Sequence, residues 1–189
     1  YFFVVCSKYH MTYREVLKFW FEEIPSKNWF TKDPAFDHHL RDRFGATLGQ
    51  ASQCELYSWR ATLPGRLAEI IVLDQFSRNI YRDKPESFAQ DKLALVLAQE
   101  AVADCRHKDS PPAQKAFLYM PFMHSESKAL HEVAVELFSQ PGLESNLNFE
   151  MKHKEIIDRF GRFPHRNRIL GRKSTPEEIE FLKQPGSSF

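Results

Sequence analysis

Apolar residues recur at helical spacing along most of the chain. Val16, Leu17, Trp20 and Ile24 share one face behind Thr12 and Glu15, whose T-x-x-E spacing predicts a capping box. Asp33 before Pro34 predicts a second start, with Gly45 or Gly49 as its stop. The stretch "LPGRLAEIIVLDQFSRNIYR" is apolar on nearly every side between Leu67 and Leu73, the pattern of a buried central helix. "DKLALVLAQEAVAD" predicts another helix. Ser110 and Pro111 open a further one through "AFLYM", which Pro121 is expected to break. Ser125 reads as the cap of a helix with the stripe Leu130, Val133, Ala134, Leu137 and Phe138. After the loop "PGLESN" a helix runs to Phe160 and stops at Gly161. Pro164 opens a short helical turn closed by Gly171. Thr175-Pro176-Glu177-Glu178 then combines cap, proline and N3 glutamate before a last helix ended by Pro185-Gly186. No segment alternates with period two and no internal repeat is visible, so the class is all-α with about eight or nine helices.

Composition adds boundaries. The 189 residues suit one domain, read as 11–189, with "YFFVVCSKYH" (1–10) as an upstream segment before Met11. A net charge of +1 gives no global case for nucleic acid, which is an unlikely partner. No apolar run approaches the ~18 residues of a membrane span. Cys6, Cys54 and Cys105 form no CxxC pair, which suggests free thiols and a cytoplasmic location.

Candidate chemistry comes from polar residues on apolar stripes. Leu67, Ile70, Ile71, Asp74, Arg78 and Tyr81 share a face of the central helix. Asp74 and Arg78, four apart, can pair as a structural bridge or line a polar pocket. His153 interrupts the face formed by Phe149, Ile156, Ile157 and Phe160, either as a satisfied core residue or as part of a site. Beyond Pro121, His124 and Glu126 place an imidazole and a carboxylate close together. From Lys152 to Lys173 eight Lys/Arg face two acids, a local +6, so the rest of the chain is acidic and can pair with them, Asp74 and Glu126 being candidates. Within that stretch Arg162, His165, Arg166 and Asn167 crowd the Pro164 turn, where free N–H groups and guanidinium groups would suit a phosphate or carboxylate. HExxH, zinc spacings, a P-loop, GxGxxG and GxSxG are all absent, and no metal site is predicted.

The segments "LDQFSRNIYR", "AFLYMPFMHSE", "HKEIIDRFGRFPHRNRILGR" and "PGSSF" resemble a mainly bacterial family known as domain-of-unknown-function family 924, over about Leu17 to Phe189. Ser77 stands where the family pattern has proline, which lets the central helix run further. The resemblance implies a tetratricopeptide-like right-handed array of antiparallel helix pairs. It carries no catalytic assignment and names no cofactor. Two functions compete. One is a small anionic ligand bound among Asp74, Arg78, His124, Glu126, His153, Arg162, His165, Arg166 and Asn167, with His165 or His153 as acid–base group and Glu126 as its orienter. The other is a protein- or peptide-binding scaffold without catalysis.

Overall fold

The structure, a computed structural model, describes residues 11–188. The upstream reading of residues 1–10, and Cys6 with it, lies outside them. Among the described residues every regular element is helical. Eight helices follow in order. α1 is Tyr13–Lys18, continued by a π-helical turn at Phe19–Glu23, and α2 is Pro34–Ser52. α3 runs as Leu63–Ile71, passes through a π-helical turn at Val72–Phe76 and finishes as Ser77–Ile80. Then come α4 (Asp91–Ala103), α5 (Pro112–Met123), α6 (Lys128–Phe138), α7 (Glu144–Phe160) and the short α8 (Pro176–Phe181). Short 3-10 turns at Pro85–Phe88 and Pro164–Arg166 connect them near the site described below.

Local chemistry explains the starts. Thr12 and Glu15 form a reciprocal capping box, as do Thr175 and Glu178, and Asp33 accepts from the N–H groups of Ala35 and Phe36. The stops depend more on context. Gly45 and Gly49 do not end α2, because glycine keeps both backbone hydrogen-bonding groups. The helix ends where Cys54 turns to a φ of 60°. Gly161, with a φ of 69°, closes α7 as expected. Pro121 does not break α5. Only one short stretch follows it, and Pro121, Phe122 and Met123 are all buried, so packing holds the last turn despite the lost N–H. Three other boundaries shift. α5 begins at Pro112. Ser127, not Ser125, flanks α6, and the Ser125 hydroxyl accepts the Ser127 N–H instead. α8 already stops at Phe181, short of Pro185-Gly186.

Helix α3 is central and packs on α1, α2, α4 and α5. Its segment Leu67–Phe76 is buried on all sides. Around it Phe19, Trp20, Phe44, Phe76 and Phe117 make an aromatic core, with centroids 4.7 Å apart for Phe19–Phe44 and 5.4 Å for Trp20–Phe117. A second, smaller apolar cluster joins Ile156, Ile157 and Phe163 to Phe160 and Phe181. Three residues on predicted apolar stripes, Phe149, Val133 and Tyr81, are exposed, because they lie at stripe edges that no neighbour covers. Cys54 and Cys105 are free and exposed.

Candidate functional site

Between the two apolar clusters the interior turns polar. The π-helical turn of α3 presents Asp74, which is only 1% exposed. A π-turn inserts one residue into the helical ladder, and such insertions recur at functional sites. Three groups hold the Asp74 carboxylate. The Gln75 amide donates to Oδ2 at 2.6 Å, Arg78 lies 2.9 Å from Oδ1, and His124 Nδ1 lies 2.8 Å from Oδ1. Burial pushes this carboxyl up, but Arg78 and His124 outweigh it and hold it well below the usual carboxylate range. An ionised acceptor fixes the His124 tautomer: Nδ1 carries the proton and Nε2 the lone pair. His124 itself is kept more acidic than a free histidine, first by burial and then by the Arg78 cation, against the pull of Asp74.

Arg78 reaches onward from Asp74 to both oxygens of Asp91, at 2.9 and 3.0 Å, at the start of α4. Arg166, from the Pro164–Arg166 turn, donates to the same Asp91 at 3.1 Å and to the His124 carbonyl at 3.1 Å. Its guanidinium lies 4.6 Å from the ring centroids of both Phe88 and Phe163, a stack between two aromatic faces. Burial pulls Arg166 down to about 10, with Asp91 opposing, so it stays cationic at neutral pH. Its Nε is buried and bonds to nothing among the described residues.

Phe163 is ringed by imidazoles. His131, His153 and His165 have ring centroids 6.2, 5.6 and 5.6 Å from it, and His153 also lies 6.4 Å from His124. His153 donates from Nδ1 to the Phe149 carbonyl at 2.8 Å, and burial drops its pKa to about 3. Burial and then Arg166 drop His165 to about 4.

The remaining sequence candidates belong to a separate strap. Glu126 accepts the Phe163 N–H at 2.8 Å and a two-pronged bond from Arg172 at 2.7 and 2.9 Å. Its carboxyl is lowered because these bonds outweigh the burial that raises it. Arg162 grips Glu178 at 2.7 and 2.8 Å and brings that carboxyl down to about 2. Asn167 bonds Glu178 and Ser174 and accepts from Arg172. Beside the Pro164 turn the chain's own Glu126 takes the Phe163 N–H and the Arg172 guanidinium. The carboxylate bonded to the His124 imidazole is Asp74. The basic stretch pairs with Asp91, Glu126 and Glu178 inside, and with Glu132, Asp158 and Glu177 at the surface, while Asp74 pairs with Arg78.

Four participants escaped the sequence. Asp91 opens the stretch "DKLALVLAQEAVAD", read only as a helix, and Phe88 lies before it in no predicted element. His131 and Glu150 form a fully buried pair at 2.6 Å between α6 and α7. His131 sits three residues before Ala134 and seven before Phe138, on the stripe already recognised, so spacing could have found it. Its Nε2 donates to the Ser125 carbonyl. Burial raises the Glu150 carboxyl. Among the described residues no three His, Cys, Asp or Glu side chains group as a metal would require, and no helix is long and apolar enough to cross a membrane. Two surface hollows, about 640 and 380 Å³, lie over α7 and beside Trp59, and none of Asp74, His124 and Arg166 lines either.

Comparison with known proteins agrees with this picture of the fold. A solved structure described as a protein of unknown function, ATU0120 from Agrobacterium tumefaciens, superposes with a TM-score of 0.86 at 37% identity, covering 90% of this chain and 96% of that one. No curated protein matches. The family model described as a bacterial protein of unknown function (DUF924) matches residues 16–186, nearly all of the described chain, and the protein belongs to that family.

Proposed function

We propose that the protein binds a small anionic ligand, a carboxylate or a phosphate, against Arg78 and Arg166 beside His124. One observation carries the reading. Arg166 is a nearly sealed guanidinium held flat between two rings, with one N–H still unbonded and a single carboxylate, Asp91, shared with a second arginine. Burying a cation costs several kcal/mol unless it is fully partnered, so a donor left open in such a place favours an acceptor from outside. The bidentate fork of arginine suits planar and tetrahedral oxyanions alike.

Thermal denaturation in phosphate, sulfate and succinate, each against chloride at equal ionic strength, tests this. The melting temperature is expected to rise with at least one of them. The rise is expected to disappear in Arg166→Gln, to persist partly in Arg166→Lys, and to remain in Arg162→Gln. An equal rise in Arg166→Gln and the unchanged chain would overturn the assignment, as would no rise with any anion.

A scaffold reading draws on a different place. Phe149 and Met151 are about half exposed on the outer face of α7, beside the larger surface hollow, and the helix-pair array implied by the family resemblance would present such faces to a partner. A chain indifferent to every anion favours that reading.

A further inference from the structure

The geometry points to His124 as a general base for hydrolysis: its Nε2 takes a proton from the water that attacks an ester of a small acid, whose free anionic group is held by Arg78 and Arg166. The inference rests on the anion site proposed above and gives that site a reaction and a substrate class.

The ring is set for the task. Asp74 fixes Nδ1 as the protonated nitrogen, so the lone pair lies on Nε2. No described residue hydrogen-bonds Nε2, it is not among the side-chain atoms sealed without a partner, and the side chain keeps 16% of its surface exposed. Other histidines are engaged differently. His131 uses both nitrogens, His107 meets the Tyr119 hydroxyl at 2.6 Å, and His153 donates Nδ1 to a backbone carbonyl.

The charged and titratable groups around His124 come from four elements. Asp74 and Arg78 belong to α3, Asp91 to α4, His153 to α7 and Arg166 to the Pro164–Arg166 turn. Burial first, and then the Arg78 guanidinium, lower the imidazole below the ordinary histidine value and keep it in the neutral form that accepts a proton.

No serine, threonine, tyrosine or cysteine among the described residues bonds to Nε2, so the nucleophile comes from solvent. Water gives one proton to Nε2 as its oxygen bonds to the ester carbonyl carbon. The tetrahedral intermediate then collapses, the bond from that carbon to the alcohol oxygen breaks, and the leaving oxygen recovers the proton from Nε2–H. One acid and one alcohol are released, and His124 returns to its starting form. Asp74 is a positioning residue, because it touches the ring and not the reacting atoms.

The mono-p-nitrophenyl ester of succinic acid is the probe, followed by release of p-nitrophenolate. The unchanged chain is expected to exceed the buffer rate. Its rate should rise with pH through an apparent pKa below the ordinary histidine value of about 6.5. His124→Gln should lower kcat about 100-fold or more, with added imidazole restoring part of the rate in His124→Ala. Asp74→Asn, whose amide can donate to Nδ1 and drive the proton onto Nε2, should lower kcat with little change in KM. Circular dichroism and the melting temperature check that each variant is folded. A rate no greater than buffer overturns the inference, and so does His124→Gln cleaving as fast as the unchanged chain. If succinate raises the melting temperature but the ester is not cleaved, the anion site stands and the base falls. If cleavage depends on His124 while Arg166→Gln leaves KM untouched, the base stands and the anion site falls.

Discussion

The interior around α1, α2 and the first half of α3 is mostly apolar, with the buried Glu69 paired to Arg60 at its edge. Phe19, Trp20, Phe44, Phe76 and Phe117 meet one another at ring distances and tilts that vary from pair to pair. The interior between α3, α4, α7 and the Pro164–Arg166 turn holds Asp74, Arg78, His124, His153 and Arg166 instead. The two regions share one helix and one hydrophobic boundary, yet they are built on different terms. Aromatic packing is non-directional and forgives small displacements, because dispersion and water exclusion act through many weak contacts. The polar region is directional, and each group depends on a particular partner: Asp91 serves two arginines, and Asp74 serves an arginine, a histidine and a glutamine.

Three measurements sharpen that contrast, all by equilibrium unfolding in urea. The largest effect belongs to the aromatic side: Phe76→Ala, at a site with 0% exposure, is expected to cost about 3–5 kcal/mol through lost burial and the cavity left behind. A loss under about 1 kcal/mol would mean that the aromatic cluster collapses freely and is not tightly packed.

Next comes the polar side. Asp91→Ala leaves Arg78 and Arg166 facing each other without their shared carboxylate, and about 3 kcal/mol is expected to be lost. Added phosphate should recover part of that loss, because an external anion can take the place of the carboxylate. The aromatic variant, given the same phosphate, should gain no more than the unchanged chain. Equal responses in the two variants would erase the distinction between the regions.

The smallest effect, read per pH unit, is a slope. His153 and His165 are held at about 3 and about 4 in the folded chain, against about 6.5 when unfolded. Below pH 6.5 the unfolded chain takes up these protons and the folded one does not, so stability is full above pH 6.5 and declines as pH falls toward 4. Each buried histidine contributes at most about 1.4 kcal/mol per pH unit in that window. His153→Gln should flatten the decline while leaving stability at pH 8 nearly unchanged. An unaltered slope would show that His153 protonates without penalty.

Much of the fold was legible because its signals are local. Thr12, Asp33 and Thr175 satisfy N–H groups two or three residues away, so their sequence spacing is already the geometry. The all-round apolar pattern of Leu67 to Leu73 required burial before any neighbour was known. The presence of Asp74, Arg78 and His153 on such faces announced that polar groups lie inside. Which of those groups meet was decided only in three dimensions. Arg166 and Asp91 are 75 residues apart, and His124 and Asp74 are 50 apart. Coulomb attraction and hydrogen bonding depend on distance in space and leave no period along the chain. For the same reason Glu126, though two residues from His124, turns away to Arg172 and the Phe163 N–H. The π-turn that carries Asp74 was likewise invisible, because one inserted residue in a fully buried helix leaves every position apolar or paired whichever way the ladder is counted. Composition and periodicity thus fixed the helices and the need for interior partners, and the packing of α3 against α4 and α5, and of α5 against α7, selected the partners.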